Sequence, residues 1–322
     1  MDLAVYAIPA FIFFMLVEGS VAAKRQLDAY ERRDTAASLT MGIGNVIIGL
    51  ALKGVNVILF TFVYRFRLLE LSSSSVWTWV GGFLVADFIF YWWHRMHHEV
   101  RFFWAAHEPH HSSQRYNLST ALRQSWLTPL SGLPFWWIMA LMGFEPALTF
   151  TIIAINTLYQ FWLHTETVDK VGPLEWFLNT PSHHRVHHGT NVQYLDRNHA
   201  GMFIIWDKLF GTFEPEVEPP IYGMTDNIDT YNPMRIAFQQ FGAMIRECLE
   251  ARNLGEAAGR IFAPPGWSPD GSTITAVEMR RRWEAGLAPL PSDPHEPASS
   301  PRASAPPPPT PDPDREQAVP IG

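Results

Sequence analysis

The sequence predicts an all-α integral membrane protein with about four to five hydrophobic helices and a helical cap on the cytoplasmic side. Three observations on the 322-residue chain lead to this prediction. Long apolar runs concentrate before residue 165, the last third is polar and rich in proline, and thirteen histidines accompany a single cysteine. The hydrophobic content of 47% is therefore an average over an apolar part, which we expect to lie in the membrane, and a polar part, which we expect to be soluble.

Five apolar runs are candidates for membrane helices, since about 20 helical residues cross the hydrocarbon core at a rise of about 1.5 Å each. They lie at about residues 5–23, 41–63, 76–93, 127–142 and 147–163. Glu18 interrupts the first run near its end, where we expect an interfacial position. That run has no basic n-region or small-residue cleavage site, so we expect a retained anchor rather than a signal peptide. A Gly/Pro turn at residues 143–146 joins the last two runs into a hairpin, which either crosses the bilayer or enters one leaflet.

The distribution of Lys and Arg predicts the orientation in the membrane. Four basic residues lie just after the first run and four between residues 95 and 123, whereas the loop after the second run has only Arg65 and Arg67. Since basic residues favour the cytoplasmic side, we expect the first loop and the region after residue 93 to lie there, apart from the hairpin. All the clustered histidines then fall on one face of the membrane.

Composition excludes several other classes of protein. The formal net charge is -7, and no dense basic block is present, so nucleic-acid binding is not expected. The single cysteine, Cys248, excludes an intrachain disulfide framework and a cysteine-based zinc or iron–sulfur site. A metal bound by this chain would be held through imidazole.

Histidines cluster in four segments: HRMHH at residues 94–98, HEPHH at 107–111, a lone His164, and HHRVHH at 183–188. Residues three and four apart share a helix face, so the members of each cluster are expected to converge on one point. Nine imidazoles exceed what one tetrahedral site uses, and they suit two adjacent metals with four or five nitrogen ligands each. Imidazole accepts zinc, copper, nickel or iron, so spacing alone leaves the metal open. The nine candidate metal ligands are His94, His98, His107, His110, His111, His164, His184, His187 and His188.

Three further histidines are set apart, because His97, His183 and His199 fit outer-shell or surface roles at least as well. Asp87 lies seven residues before His94 on the same helix face, inside a predicted membrane helix. An ionisable group there is costly without a partner. We therefore expect Asp87 to support the site from behind the ligands rather than to lie at the surface.

Long motifs around these histidines resemble the fatty acid hydroxylase/sterol desaturase superfamily, and within it most closely the alkylglycerol monooxygenase family. They are WAAHEPHHSSQRYNLSTALRQS at residues 104–125, YQFWLHTE at 159–166, GPLEWFLNTPSHHRVHHGTN at 172–191 and IIWDKLFGTFEPE at 204–216. The resemblance covers about residues 80–225. The chain departs from the family at Asn198-His199, where an Asn-Tyr pair is more usual.

The resemblance implies that the nine histidines hold two iron ions, which activate O2 to hydroxylate a lipid C–H bond. It also implies tetrahydrobiopterin as the reductant. Glu99, directly after the first histidine cluster, is the residue we assign to pterin use, with a surface carboxylate paired to Arg95 as the alternative. In an alkylglycerol the attacked carbon lies next to the ether oxygen, so hydroxylation cleaves the ether bond.

Alternatives remain at this point. A sterol desaturase or methyl oxidase, or a fatty acid or carotenoid hydroxylase, would share the metal site and take electrons from a redox protein. A histidine-rich membrane metal transporter is the alternative from another class. Aromatic residues, among them Trp93, Trp136 and Trp137, either line a lipid slot or form an interfacial belt.

The predicted organisation has four parts. Residues 1–80 hold the N-terminal transmembrane helices, and residues 81–216 form the catalytic domain of the fatty acid hydroxylase/sterol desaturase type. Residues 217–288 form a cytoplasmic helical region, with one helix expected over about 232–263. Residues 289–322 are expected to be a disordered Pro-rich tail.

Overall fold

The computed structural model describes residues 3–287, and the predicted Pro-rich tail lies outside them. Over this range the chain is helical without named strands, and one isolated antiparallel bridge joins Gly189 to Tyr222. The helices are α1 (Leu3–Arg25), α2 (Arg32–Tyr64), α3 (Val76–Glu99), α4 (Arg101–Trp104), α5 (Glu108–His111), α6 (Thr128–Ser131), α7 (Leu133–Met142), α8 (Pro146–Phe161), α9 (Pro181–His187), α10 (Ile205–Phe210), α11 (Pro233–Leu249), α12 (Leu254–Phe262) and α13 (Ala276–Glu284). Short 3-10 turns occur at Thr120–Leu122, Gly172–Trp176 and Val192–Tyr194.

Two of the described helices are long and apolar enough to cross a membrane by length and composition, at Tyr6–Arg25 and Arg32–Tyr64. Only 11% and 6% of their most apolar windows are buried inside the chain, so they are not core helices of a soluble fold. Large apolar side chains such as Phe13, Ile47 and Ile58 are instead exposed along them. The third run is also helical, and α3 continues past it through the first histidine cluster to Glu99.

The hairpin is shorter than two full spans. The run at 127–142 is divided at Gly132 into α6 and α7, and the ten residues of α7 extend only about 15 Å at 1.5 Å per residue. That length does not cross a hydrocarbon core of about 30 Å. Gly143 joins α7 to α8 with a φ of +99°, and a Cβ there would lie 2.1 Å from the Leu69 carbonyl oxygen. The turn therefore requires glycine.

The apolar core lies where α2 and α3 pack against α7 and α8. Its buried members include Phe60, Ile89, Met139 and Ile152. Gly82 lets α3 approach α8 closely, since a Cβ at this position would lie 2.6 Å from Ile152 Cδ1. This packing sets the position of the C-terminal end of α3, where the first histidines lie.

Glu18 is buried at the point where α1 meets the loops beside the histidines. Its carboxylate accepts hydrogen bonds from Leu118 N at 2.8 Å, from Tyr30 Oη at 2.5 Å and from Thr165 Oγ1. Three donors satisfy a carboxylate that would otherwise be costly to bury. Glu18 therefore ties the first helix to the segment that follows His164.

The single helix predicted over 232–263 is wrong, because the chain forms α11 and α12 with a break at residues 250–253. Asn253 begins α12 as an N-cap, its side chain accepting from Glu256 N at 2.9 Å. Apolar periodicity continued across the break and concealed this capping signal. The two helices pack against each other, and Glu247 of α11 binds Arg260 of α12 at 2.9 Å.

Candidate metal centre

Four segments bring the clustered histidines into one buried region. The last two turns of α3 carry His94 and His98, and α5 is a single turn that carries His110 and His111. His107 directly precedes α5 and His164 follows α8. His184 and His187 lie on α9, which His188 ends. The positions are far apart in the chain, so only the packing of these helix ends assembles them.

The nine histidines form two groups, within each of which the candidate ligand atoms all lie within 4.8 Å of one another. All nine side chains are buried. The first group contains His94, His98, His107, His111 and His187. The second group contains His110, His164, His184 and His188.

Convergence within each cluster is only partly as expected. Residues four apart share a group, as His107 does with His111 and His184 with His188, whereas His110 and His187 join the opposite group. The reason is helical geometry: at 3.6 residues per turn, residues four apart differ by about 40° in direction and residues three apart by about 60° the other way. Each short helix therefore contributes to both groups and lies between them.

Hydrogen bonds to backbone carbonyls determine the tautomers of three rings. The Nδ1 atoms of His94, His164 and His187 lie 2.8 Å, 3.0 Å and 2.9 Å from carbonyl oxygens. Since a carbonyl only accepts, each Nδ1 carries the proton and each Nε2 presents a lone pair. This arrangement is usual for metal-ligating histidine, because the second nitrogen fixes the orientation of the ring.

The lone pairs face other imidazole nitrogens at ligand-like separations. His164 Nε2 lies 3.2 Å from His110 Nε2 and 3.1 Å from His184 Nε2, and His94 Nε2 lies 2.9 Å from His107 Nε2. Two nitrogens bound to one metal at about 2.1 Å are roughly 3.0 Å apart for a right angle and roughly 3.4 Å apart for a tetrahedral angle. Four more buried ring nitrogens in the two groups have no hydrogen-bond partner: His98 Nε2, His184 Nδ1, His187 Nε2 and His188 Nε2. The donor set fits two cations.

The imidazoles are neutral at physiological pH, as metal ligands must be. Burial lowers the pKa of His164 to about 3 and the pKa of His187 to about 4. Burial, followed by the neighbouring imidazoles, holds the pKa values of His110 and His184 well below the usual range. No ring in these groups would need to lose a proton before binding a metal at pH 7.

A buried ion pair supports the second histidine cluster, and its role was not recognised from the sequence. Arg123 is 1% exposed, and its Nη1 lies 3.0 Å from Asp34 Oδ1 of α2. Its Nε donates to the Pro109 carbonyl at 3.2 Å and to Ser112 Oγ at 2.9 Å. Arg123 thus stabilises the α5 turn through these two hydrogen bonds. The only sequence signal was an Asp near the start of an apolar run, which also fits an ordinary helix N-terminus.

A second arginine supports α9. The guanidinium of Arg185 makes two hydrogen bonds to Glu216, at 2.8 Å and 2.7 Å, and its Nη1 donates to the carbonyls of Thr165 and Val168. One side chain therefore links α9 to the segment just after His164 and to the chain at residue 216. It joins two of the four histidine-bearing segments.

Asp87 is buried as expected, but its hydrogen bonds go to a loop rather than to an imidazole. Its carboxylate accepts from Met202 N at 2.7 Å, Phe203 N at 3.0 Å, Trp206 Nε1 at 3.0 Å and Asn156 Nδ2 at 2.7 Å. The same loop begins at His199, whose carbonyl accepts from His94. Asp87 is therefore connected to the five-histidine group indirectly, through the backbone of the loop whose His199 carbonyl binds His94.

Glu99 lies at the end of α3 with a partly exposed side chain, and Arg95 Nε donates to it at 2.8 Å. This ion pair with Arg95 is the one expected from the sequence if Glu99 is a surface carboxylate rather than a pterin contact. The carboxylate nearest to a candidate ligand is instead Asp196, whose Oδ1 lies 3.4 Å from His98 Nδ1. Burial raises the pKa of Asp196 to about 6.

His97, His183 and His199 belong to neither group, and the surface alternative for them is wrong, because all three are buried. Both ring nitrogens of His97 have partners, the Trp93 carbonyl at 2.7 Å and Ser131 Oγ at 2.9 Å. The His199 ring lies 5.0 Å from the His98 ring between centroids, and its Nδ1 has no partner. His97 is therefore a packing residue, whereas His199 borders the five-histidine group.

The fold and the site together define a helical chain with two buried histidine groups, each of which could hold a metal ion. Residues 79–212 match the fatty acid hydroxylase family model, which confirms the resemblance recognised in the sequence, and this part of the chain is a fatty acid hydroxylase domain.

Curated relatives point the same way. An alkylglycerol monooxygenase from Xenopus tropicalis is 44% identical over 237 residues, covering 73% of this chain and 53% of the relative. The alkylglycerol monooxygenase of Homo sapiens is 42% identical over 265 residues, covering 82% and 59%. An ornithine lipid hydroxylase from Rhizobium tropici is 30% identical over 148 residues, covering 46% and 44%. The chain thus spans less than two thirds of the length of these relatives, and no solved structure matches it.

Proposed function

We propose that the chain is a membrane-bound di-iron monooxygenase that hydroxylates a lipid C–H bond with O2 and cleaves the ether bond of alkylglycerols, with tetrahydrobiopterin as reductant. The observation that carries the proposal is the pair of buried histidine groups, in which ring nitrogens face each other at 2.9 to 3.2 Å and four further ring nitrogens have no hydrogen-bond partner. Iron is one of the metals that imidazole ligands suit, and the match to the fatty acid hydroxylase family favours it over zinc.

Two iron ions in these groups would supply the activation of O2 that an unactivated C–H bond requires. In the overall balance one oxygen atom enters the C–H bond, and the other leaves as water after taking up two electrons and two protons. Tetrahydrobiopterin would provide the two electrons and become oxidised. Hydroxylation next to the ether oxygen gives a hemiacetal, which collapses to an aldehyde and glycerol.

The protein's own contribution is to hold the ligands rigidly and keep water away. Backbone carbonyls orient His94, His164 and His187, while Arg123 and Arg185 hold the short helices α5 and α9. Because all nine rings are buried, the oxidant would form in a site shielded from solvent. A shielded site limits loss of the oxidant to side reactions.

Glu99 is our proposed contact for the pterin. It lies at the C-terminal end of α3, five residues after His94, with its side chain 41% exposed and available to a ligand from solution. The 2-amino pyrimidine edge of a pterin donates hydrogen bonds that a carboxylate accepts. Arg95 already holds this carboxylate at 2.8 Å, so the pterin would share it.

Membrane residence suits this chemistry. The exposed apolar faces of α1 and α2 would lie in lipid, with the histidine groups at the cytoplasmic end of α3. A lipid chain would then remain in the bilayer while its polar end approached the metals from one side.

A second candidate is a lipid hydroxylase of another substrate class that takes electrons from a redox protein. The 30% identity to an ornithine lipid hydroxylase favours it, since such an enzyme would share the metal centre. The two candidates differ in reductant and in the head group of the lipid.

Iron-loaded membranes incubated with a fluorescent alkylglycerol, with and without tetrahydrobiopterin, separate these candidates. We expect fluorescent aldehyde only when tetrahydrobiopterin is present, and none from a His164→Ala variant prepared in parallel. No aldehyde under either condition, from protein shown to contain iron, would refute the ether-lipid assignment. Aldehyde formed only with an added ferredoxin or cytochrome would refute the pterin assignment alone.

A further inference from the structure

One short loop, residues 196–199, supplies the outer partners of three rings in the five-histidine group. Two of these partners are backbone carbonyls: the Arg197 oxygen lies 2.9 Å from His187 Nδ1, and the His199 oxygen lies 2.8 Å from His94 Nδ1. Both carbonyls bind the Nδ1 atom, so the Nε2 atom of each ring remains available as a metal ligand.

Asp196 supplies the third partner, and it is the charged one. Its Oδ1 lies 3.4 Å from Nδ1 of the buried His98 ring. This distance is longer than an ordinary N–H···O hydrogen bond of about 2.7 to 3.2 Å, but a carboxylate still acts on the ring through its charge. His98 Nε2 is buried without a hydrogen-bond partner. The carboxylate therefore faces one ring nitrogen of His98 and leaves the other free to bind a metal.

The backbone of this loop is unusual. Asp196 and Asn198 have φ values of +50° and +55°, in the left-handed region that residues other than glycine rarely occupy. The side chain of Asn198 holds this conformation, because its Nδ2 donates to the carbonyls of His183 and Glu214 at 3.0 Å and 2.8 Å. Such strain persists only where the surrounding structure determines it, and it is concentrated at functional sites.

Asp207 fixes the other end of the loop. Its carboxylate accepts hydrogen bonds from His199 N and Ala200 N, each at 2.8 Å, and from Thr212 Oγ1 at 2.6 Å. Both Asp207 and Asn198 are fully buried. The loop is thus held on both sides by contacts that do not involve the rings of the five-histidine group.

The four-histidine group is oriented from elsewhere. His164 Nδ1 lies 3.0 Å from the carbonyl of Gln160, on the helix that precedes it, and His184 Nδ1 has no partner. Neither ring depends on residues 196–199 for its orientation. A change in this loop should therefore affect only one of two bound metal ions.

We propose that residues 196–199 form a positioning loop for the five-histidine group alone, and that the Asp196 carboxylate strengthens metal binding there through His98. A carboxylate at Nδ1 makes an imidazole a stronger donor at Nε2, and outer partners of this kind typically contribute about 10- to 100-fold to metal affinity. The inference rests on the proposed metal centre but not on the lipid or the reductant. The loop makes the two metal ions inequivalent.

Cobalt(II) binding to one group at a time tests this proposal. The full-length protein is freed of metal in detergent and titrated with Co(II) in two backgrounds: His164→Ala, which disables the four-histidine group, and His94→Ala, which disables the five-histidine group. We expect Asp196→Asn to raise the Kd for Co(II) about 10- to 100-fold in the His164→Ala background and to leave it unchanged in the His94→Ala background. Asp169→Asn is the matched control, because Asp169 is exposed, and it should change neither Kd.

Two further variants separate positioning from folding. Asp196→Glu keeps the charge and should recover most of the Co(II) affinity, whereas Asp196→Asn should also shift the d–d absorption bands of Co(II) in the five-histidine group. Asn198→Ala is an independent perturbation, since it removes the side-chain hydrogen bonds of the loop without changing a candidate ligand. We expect it to weaken Co(II) binding in the His164→Ala background only.

Two results would overturn the proposal: a Kd that Asp196→Asn leaves unchanged in the His164→Ala background, or an equal increase in both backgrounds. Wild-type protein that binds no Co(II) would overturn both this proposal and the proposed function. Aldehyde production with unaltered Co(II) affinities in the loop variants would overturn the loop assignment and leave the ether-lipid function standing. A selective loss of Co(II) affinity without any aldehyde would support the loop assignment and remove the ether-lipid function.

Discussion

Replacing Asp34 with asparagine tests whether the buried ion pair between Asp34 and Arg123 stabilises the α5 turn, which carries ligands of both histidine groups. Asp34 and Arg123 are 5% and 1% exposed in their side chains and 3.0 Å apart. Asp34→Asn keeps the shape of the side chain but leaves the arginine charge buried without a counter-charge. Removing one partner of a buried ion pair typically costs about 3 to 5 kcal/mol, because the remaining charge stays desolvated. At roughly 2 to 4 °C per kcal/mol for a chain of this size, the melting temperature should fall by at least roughly 6 °C.

The assay is thermal unfolding of the purified protein in one detergent, with iron content measured on the same samples. The matched control is the double variant Asp34→Leu/Arg123→Met, which removes both charges and should recover most of the lost stability. Its iron content should still be low, because Arg123 no longer holds the Pro109 carbonyl and Ser112. A melting temperature for Asp34→Asn within about 1 °C of the wild type would refute the reasoning, since a buried uncompensated charge cannot be that cheap.

Three further predictions concern the metal groups, the α7–α8 turn and pH. His164→Ala should lose about one of two bound iron ions by elemental analysis, because it breaks the four-histidine group. The control His97→Gln should retain both ions, since the His97 ring nitrogens already have other partners. Equal iron loss in the two variants would contradict the division of the histidines into these groups. Gly143→Ala should cost at least about 1 to 3 kcal/mol in unfolding experiments, because φ is +99° and a Cβ would meet a backbone oxygen at 2.1 Å. The control Gly81→Ala should instead stabilise the protein, because Gly81 lies inside α3 and a Cβ there has no atom within 4 Å. Burial raises the pKa of Asp207 to about 6 from 3.8, so its contribution to stability is complete below pH 3.8 and is lost as the pH rises through 6. This loss of about 3 kcal/mol in the free energy of unfolding should vanish in Asp207→Asn. A difference in melting temperature between the two proteins that stays constant from pH 4 to 6 would contradict the assigned pKa shift.

Much of the architecture was legible in the sequence because periodicity and length are local properties. The five apolar runs all form helices, and the nine histidines chosen by spacing are the ones that meet. The break between α11 and α12 was missed, because the apolar pattern continued on both sides of Asn253. The burial of Glu18 was not predicted, because its partners, Leu118 and Thr165, lie 100 and 147 residues away.

The division of the histidines into groups of five and four could not be read from spacing. Spacing assigns His107, His110 and His111 to one helix face, yet one of the three joins the opposite group. That assignment depends on where α5 lies between α3 and α9, which is a matter of packing. Arg123 and Arg185, which help to set that position, were ordinary charged residues until their partners were known.

The sequence by itself determined which residues are available for chemistry: eight histidines in helical spacing and the lone His164, in a chain with apolar helices suited to a membrane and with no cysteine ligand set to compete. Only the tertiary structure decided how they are used. It separated the two histidine groups and fixed the tautomer of His94 through the carbonyl of His199, which lies 105 residues away in the chain. The physical reason is that ligand type follows from residue identity, whereas distance, burial and hydrogen-bond satisfaction arise only when segments remote in sequence pack together.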